Sequence, residues 1–181
     1  MTSSFTSYSM LLVSLALVFM FISPSSTEKH TKLSNICSKT TDHHWCMRLM
    51  KSDSRSEYAN NHDFTEVAID IAYSKARDIH RDLNSLYDRT RNARKKDQYN
   101  SCSKNYHGAI KDLKQIKKLF KDGHYKRIAI PVNDAVEEVR DCKNQLEKST
   151  SDSSHLKRRT KEFELLCDVV KISSKFLSHD S

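Results

Sequence analysis

Apolar residues recur along most of this chain at steps of three and four, the spacing that lines side chains up on one face of an α-helix. Phe64, Val67, Ile71, Ala72, Ala76, Ile79, Leu83 and Leu86 draw one such stripe, which predicts a helix of roughly 25 residues. Cys102, Tyr106, Ala109, Leu113, Ile116 and Phe120 draw a second. Ile128, Val132, Ala135, Val136, Val139, Cys142 and Leu146 draw a third, and Leu156, Phe163, Leu166, Cys167, Val170 and Leu177 a fourth. Gly123 stands between the second and third stripes, where a left-handed residue stops a helix. The polar run Ser149–Ser154 separates the third from the fourth, with Ser153 as a candidate N-cap. Connections this short make neighbouring helices antiparallel, so the pattern predicts an all-α, up-down-up-down four-helix bundle. Pro131 falls inside the third stripe and must either kink that helix or mark its first turn.

One apolar run breaks the periodicity. Met10–Ile22 is 13 residues long, and residues 1–26 carry no Asp, Glu, Lys or Arg. That length is too short to span a bilayer and suits the core of a signal peptide. Cleavage near Ser26 would leave residues 27–181 as a secreted single domain. No other stretch is apolar enough to anchor the chain in a membrane, so no membrane partner is expected. The rest of the chain holds two glycines and one proline, far too few for the closely spaced turns of an all-β domain.

The chain carries 31 Lys and Arg against 23 Asp and Glu, a formal net charge of +8. A basic secreted protein is drawn to polyanions, and weak binding to acidic polysaccharide is expected. The runs Arg89–Lys96 and Lys157–Arg159 read as solvated helix faces. Aromatic residues do not interleave with them as a base-stacking platform would require, so nucleic acid is not an expected partner.

Five cysteines in an oxidising compartment are staples before they are metal ligands. Cys102 lies near the start of the second predicted helix and Cys142 toward the end of the third. In an antiparallel pair those positions meet, away from the Gly123 turn. Cys37 and Cys46, nine positions apart, would close a small N-terminal hairpin over residues 34–60, ahead of the bundle at 61–178. Cys167 sits on the apolar stripe of the last helix and reads as a buried free thiol. This pairing is one of several that five cysteines allow. Cys37, His43, His44 and Cys46 have ligand types that suit zinc, but no second Cys or His pair completes a site. Trp45 reads as hairpin packing and Tyr106 as a core hydroxyl satisfied across the bundle. Neither a Gly-x-Ser-x-Gly elbow nor a glycine-rich phosphate loop is present, and no enzyme activity, metal or cofactor is expected.

Several of these residues together resemble the plant invertase and pectin methylesterase inhibitors. The resemblance runs over residues 34–177. It comprises Ile36-Cys37-Ser38-Lys39-Thr40 with Cys46-Met-Arg-Leu49, then Cys102-x3-Tyr106-x2-Ala109-x3-Leu113, then Tyr125 ahead of a helix carrying Ala135 and Cys142. A fifth cysteine in the final helix is also common in that family. The resemblance implies a secreted inhibitor that docks on a carbohydrate-active enzyme of the plant cell wall or vacuole and covers its substrate cleft. An N-terminal helical hairpin would pack at one side of the bundle or project from it. Two departures bear on the target. Invertase inhibitors typically show Pro-Lys-Phe at the turn between the second and third bundle helices; here the turn reads His124-Tyr125-Lys126-Arg127. Pectin methylesterase inhibitors often place Thr before the fourth cysteine; here it is Asp141. The missing Pro-Lys-Phe favours pectin methylesterase in the apoplast, with contacts spread along the bundle helices. Acid invertase, of wall or vacuole, is the alternative, with Lys121, Tyr125, Lys126 and Arg127 as candidate partner-binding residues. A pectate-binding protein without inhibitory activity is a third reading.

Overall fold

The computed structural model describes residues 33–56, 59–147 and 154–179. The leader, the run 149–153 and the candidate cap Ser153 lie outside the described residues. Among the described residues, five α-helices follow a short helical segment at 33–37: α1 (His43–Lys51), α2 (Asn61–Arg89), α3 (Ala93–Lys121), α4 (Ala129–Glu147) and α5 (Ser154–His179). No strand occurs among the described residues, in keeping with an all-helical chain.

Local chemistry sets the helix ends. Asp42, Asn60 and Asn92 each accept a hydrogen bond from a backbone N–H three residues on, satisfying one otherwise orphaned donor at the start of α1, α2 and α3. At the end of α3, Gly123 adopts φ +73°. The N–H groups of Gly123 and His124 donate to the carbonyls of Phe120 and Leu119 at 3.1 and 2.8 Å. Those two bonds form a Schellman stop. A 3-10 turn, Tyr125–Arg127, leads into α4. Pro131 stands in the first turn of that helix, where the Ile128 carbonyl accepts from Val132 N–H. A backbone N–H at position 131 would have had no helical partner, so proline costs nothing there.

Cross-helix bonds set the topology. Between α2 and α3, Asp70 pairs with Lys117 and Asn84 with Ser103. Between α3 and α4, Gln98 reaches the Gln145 carbonyl and Asn105 that of Glu138. Between α4 and α5, Asn133 accepts from Lys171 and Lys143 pairs with Glu164. Lys75 pairs with Glu162 and Asp82 with Arg159, closing α5 back onto α2. Numbering runs in opposite directions in every pair, so α2 to α5 form an antiparallel ring of four.

The buried faces are broader than the expected stripes. Ile71, Leu86 and Val136 are only half-buried, whereas Ala68, Ile69, Tyr99, Leu119 and Val169 join the core. A helix in a ring of four touches two neighbours, and its apolar arc must widen to cover both. At the centre, Tyr106 meets Phe163 edge to face at 5.7 Å and donates to Thr160 Oγ1 at 3.1 Å. Burial pushes the Tyr106 phenol well above its ordinary range.

The N-terminal hairpin is docked on this ring. Cys37 and Cys46 are bonded, and Met50 and Ile36 are buried. Thr41 donates from both its N–H and its hydroxyl to Asp168 Oδ2 of α5, at 2.9 and 3.1 Å. Arg55, from the turn after α1, bridges Asp53 and Asp70, and Lys117 joins the same Asp70. Burial would raise the Asp70 carboxyl, but Lys117 and Arg55 outweigh it and hold the group below its ordinary value.

Candidate functional site

The turn between α3 and α4 positions the residues that the sequence pointed to. Tyr125 is half-buried and packs on Phe120 at 5.7 Å, with His62 at 6.2 Å. That packing pins the turn to the bundle end. Lys126 and Arg127 are exposed beyond it. Together with Gly123, His124 and Ser178 they line an open hollow of about 340 Å³. Lys121 belongs to the last turn of α3 and faces a neighbouring hollow with His62, Glu66, Asp70, Lys117 and Phe120. The structure therefore gathers Tyr125, Lys126 and Arg127 at one surface and sets Lys121 beside it.

Two participants were missed by sequence reasoning. His62 lies 4.5 Å from Phe120, ring to ring, and completes the aromatic cluster under the turn. It opens α2, and the antiparallel ring brings the start of α2 to the end of α3. Ile130 is 65% exposed beside the basic turn. It falls off the third apolar stripe, which was the available clue. An exposed isoleucine beside two cations gives this end both the apolar and the charged elements of a docking surface.

The cysteines lie away from it. Cys102 and Cys142 are bonded with Cα atoms 4.6 Å apart, tying the start of α3 to the end of α4. The Cys37 and Cys46 sulfurs are committed to each other and have no thiolate to offer a metal. Among the described residues, no three His, Cys, Asp or Glu side chains are grouped to hold an ion. Cys167 is reduced and buried, and burial, with Glu164 and Asp168 nearby, pushes its thiol far above the range in which it would react. Trp45 is half-buried against the core. Among the described residues, no helix is long and apolar enough to cross a membrane.

The long faces of the ring carry opposite charge. The groove between α3 and α4 holds Asp112, Asp134, Glu137, Glu138 and Asp141, with Arg140 among them. Burial, then Asp134 and Glu138, pushes the Asp112 carboxyl up to about 6. The groove between α2 and α3 is basic. A helix surface of this kind can bind a partner.

Comparison with known proteins agrees with this architecture. The Pectinesterase inhibitor of Actinidia deliciosa is 32% identical over 174 residues, covering 93% of this chain and 94% of its own length. Pectinesterase inhibitor 2 of Arabidopsis thaliana is 25% identical over 162 residues, covering 90% and 93%. Among solved structures, mutant form A of a pectin methylesterase inhibitor from Arabidopsis superposes with a TM-score of 0.73 at 22% identity, covering 80% of this chain and 95% of that one. A further pectin methylesterase inhibitor structure from Arabidopsis thaliana gives 0.63 at 22% identity, covering 81% and 96%. At those identities the likeness is one of fold. The sequence profile described as plant invertase/pectin methylesterase inhibitor matches residues 31–175, and with the cysteine staples and the ring of four helices, this chain belongs to that family.

Proposed function

We propose that the chain is a secreted inhibitor of pectin methylesterase that blocks the enzyme's substrate cleft with helix surface and performs no chemistry of its own. The observation that carries the reading is the 32% identity to the Actinidia deliciosa pectinesterase inhibitor, sustained over 94% of that protein. A cleavable leader at 1–26 ahead of a domain at 27–181 would direct it to the apoplast, where that enzyme acts on wall pectin. Inhibition by a docked bundle is stoichiometric and reversible. Its strength depends on interface area and charge pairing rather than on any nucleophile.

Acid invertase is the second reading, favoured by the exposed Lys126 and Arg127 at the bundle end. The two are separable with one double variant. If invertase is the target, Lys126→Ala with Arg127→Ala removes charge-assisted contacts, each costing roughly 2–5 kcal/mol in a desolvated interface. If pectin methylesterase is the target, contacts run along the helices and the same variant inhibits it almost as well as the parent. Titrating the purified protein and this variant against both enzymes between pH 5 and 7.5 decides the target. Full activity of both enzymes at micromolar protein would refute the inhibitor reading.

A further inference from the structure

The groove between α2 and α3 is lined by cations, imidazoles and an aromatic ring. Tyr73, Arg77 and Arg81 follow one another at four-residue steps along one face of α2, and His107, Ile110 and Lys114 line the opposite wall on α3. The groove encloses about 630 Å³. Its α2 wall alone runs about 12 Å from Tyr73 to Arg81, room for a short run of sugar rings. Tyr73 organises one end. The Arg77 guanidinium lies 5.7 Å and the Lys117 ammonium 4.5 Å from its ring centre. A cation held against an aromatic face keeps its N–H donors available, so this ring fixes the Arg77 charge without neutralising it, while the Lys117 ammonium is also paired with Asp70.

The nearby carboxylates are already engaged. Asp78 pairs with Arg81 at 2.8 Å, and Asp70 with Arg55 and Lys117. Arg77 and Lys114 have no carboxylate partner among the described residues. Burial, then the neighbouring His107, holds the His80 imidazole below its ordinary value, so the permanent charge of the groove comes from Arg and Lys. The other side of α3 is the acidic groove around Asp112. An anionic chain is therefore repelled from one flank of α3 and attracted to the other, which fixes its place on the molecule.

We infer that the α2–α3 groove binds a run of galacturonate residues, the carboxylate-bearing form of pectin, through Arg77 and Lys114 beside Tyr73. The choice of a uronate chain rests on the pectin methylesterase reading, because that enzyme's product is such a polymer. Each uronate presents one carboxylate to a guanidinium or ammonium and hydroxyls to the free Tyr73 phenol and the imidazoles. A nucleic acid would instead need open aromatic faces for its bases, and the ring here already carries two cations. Binding of this kind would hold the inhibitor on demethylated wall polymer, next to the enzyme that made it.

The test is calorimetric titration of the disulfide-bonded secreted chain, with no enzyme present, against three polymers at low and moderate salt. Polygalacturonate should bind, with affinity falling as salt rises. Its fully methyl-esterified form, which has the same backbone without the charge, should not bind. Polyglutamate, which has charge without sugar hydroxyls, should bind more weakly. Arg77→Ala with Lys114→Ala should weaken polygalacturonate binding roughly tenfold. The charge-matched control, Arg91→Ala in the connection between α2 and α3 with Arg94→Ala in the first turn of α3, both exposed, should change it little. Equal losses in the two double variants would overturn the assignment, as would polyglutamate binding as tightly as polygalacturonate. A parent that inhibits pectin methylesterase but ignores polygalacturonate sinks the groove alone. A parent that binds polygalacturonate and inhibits neither enzyme sinks the inhibitor reading alone.

Discussion

Replacing Asp112 by Asn should make the protein more stable at neutral pH and leave it unchanged in acid. Asp112 lies on α3, half-buried, facing Asp134 and Glu138 of α4. Burial first, and then those two carboxylates, raises it from 3.8 to about 6. Fully walled off from water, a displacement of that size corresponds to about 3 kcal/mol. Asp112 keeps part of its surface in solvent, and screening there brings the expected gain down to about 1 kcal/mol. The folded state holds this proton more tightly than the unfolded chain does. The penalty is therefore absent below about pH 4, grows as pH rises, and is complete above about pH 6. Asn removes it by carrying no charge at any pH. Urea unfolding followed by circular dichroism at pH 4 and pH 7 measures the effect, with a melting temperature rise of roughly 2–4 °C at pH 7 as a second readout. An equal gain at both pH values would show that charge is not the cause. A loss at pH 7 would refute the electrostatic account of this groove.

Cys142→Ser should cost about 4 kcal/mol in the chain-entropy account, because it opens a cross-link between residues 40 apart, whereas Cys167→Ser should cost about 1 kcal/mol for one buried group made more polar; thermal melts of the two purified variants compare them, and equal losses would contradict the assignment of Cys167 as the unbonded thiol. Tyr106→Phe leaves the fully buried Thr160 hydroxyl without its partner and should cost about 1–2 kcal/mol in urea unfolding, with inhibition unchanged. Asp168→Ala removes the acceptor of both Thr41 bonds; amide exchange should then speed up around Thr41 and α1 while the core of α3 stays protected, and uniform acceleration would mean that Asp168 supports the bundle rather than the hairpin.

The four long helices were legible because burial repeats along them. Cys102, Tyr106, Ala109, Leu113, Ile116 and Phe120 all lie in the core where the second stripe put them. Gly123 marked the end of α3 because its positive φ suits the Schellman stop. Pro131 was ambiguous, since proline is as much at home in a first turn as at a kink, and only the carbonyl of Ile128 identifies which helix position it occupies. The start of α3 carried no glycine or proline to announce it, although Asn92 was available as a cap. The N-terminal hairpin could be placed beside the bundle or away from it. The bond from Thr41 to Asp168 that docks it joins residues 127 positions apart, and no local pattern encodes that distance.

What helical periodicity cannot supply is the register between neighbouring helices, and the function of this surface depends on register. Along α3 alone, nine Lys and Arg against two Asp describe a basic helix. Packing divides that helix between two grooves. On one side, α4 brings Asp134 and Glu138 to Asp112, and burial together with those carboxylates pushes the Asp112 carboxyl up to about 6. On the other, α2 brings Tyr73 and Arg77 to Lys114 and Lys117, and the field is basic. A shift of one helical turn between α3 and either neighbour, about 5.4 Å, would set different charges against one another while leaving much of the apolar core pattern satisfied. The bonded pair Cys102–Cys142 fixes the register on the α4 side, and the Asp70–Lys117 and Asn84–Ser103 pairs fix it on the α2 side. Core spacing selects the bundle; these few cross-links select which charged surface the bundle presents to enzyme and polymer.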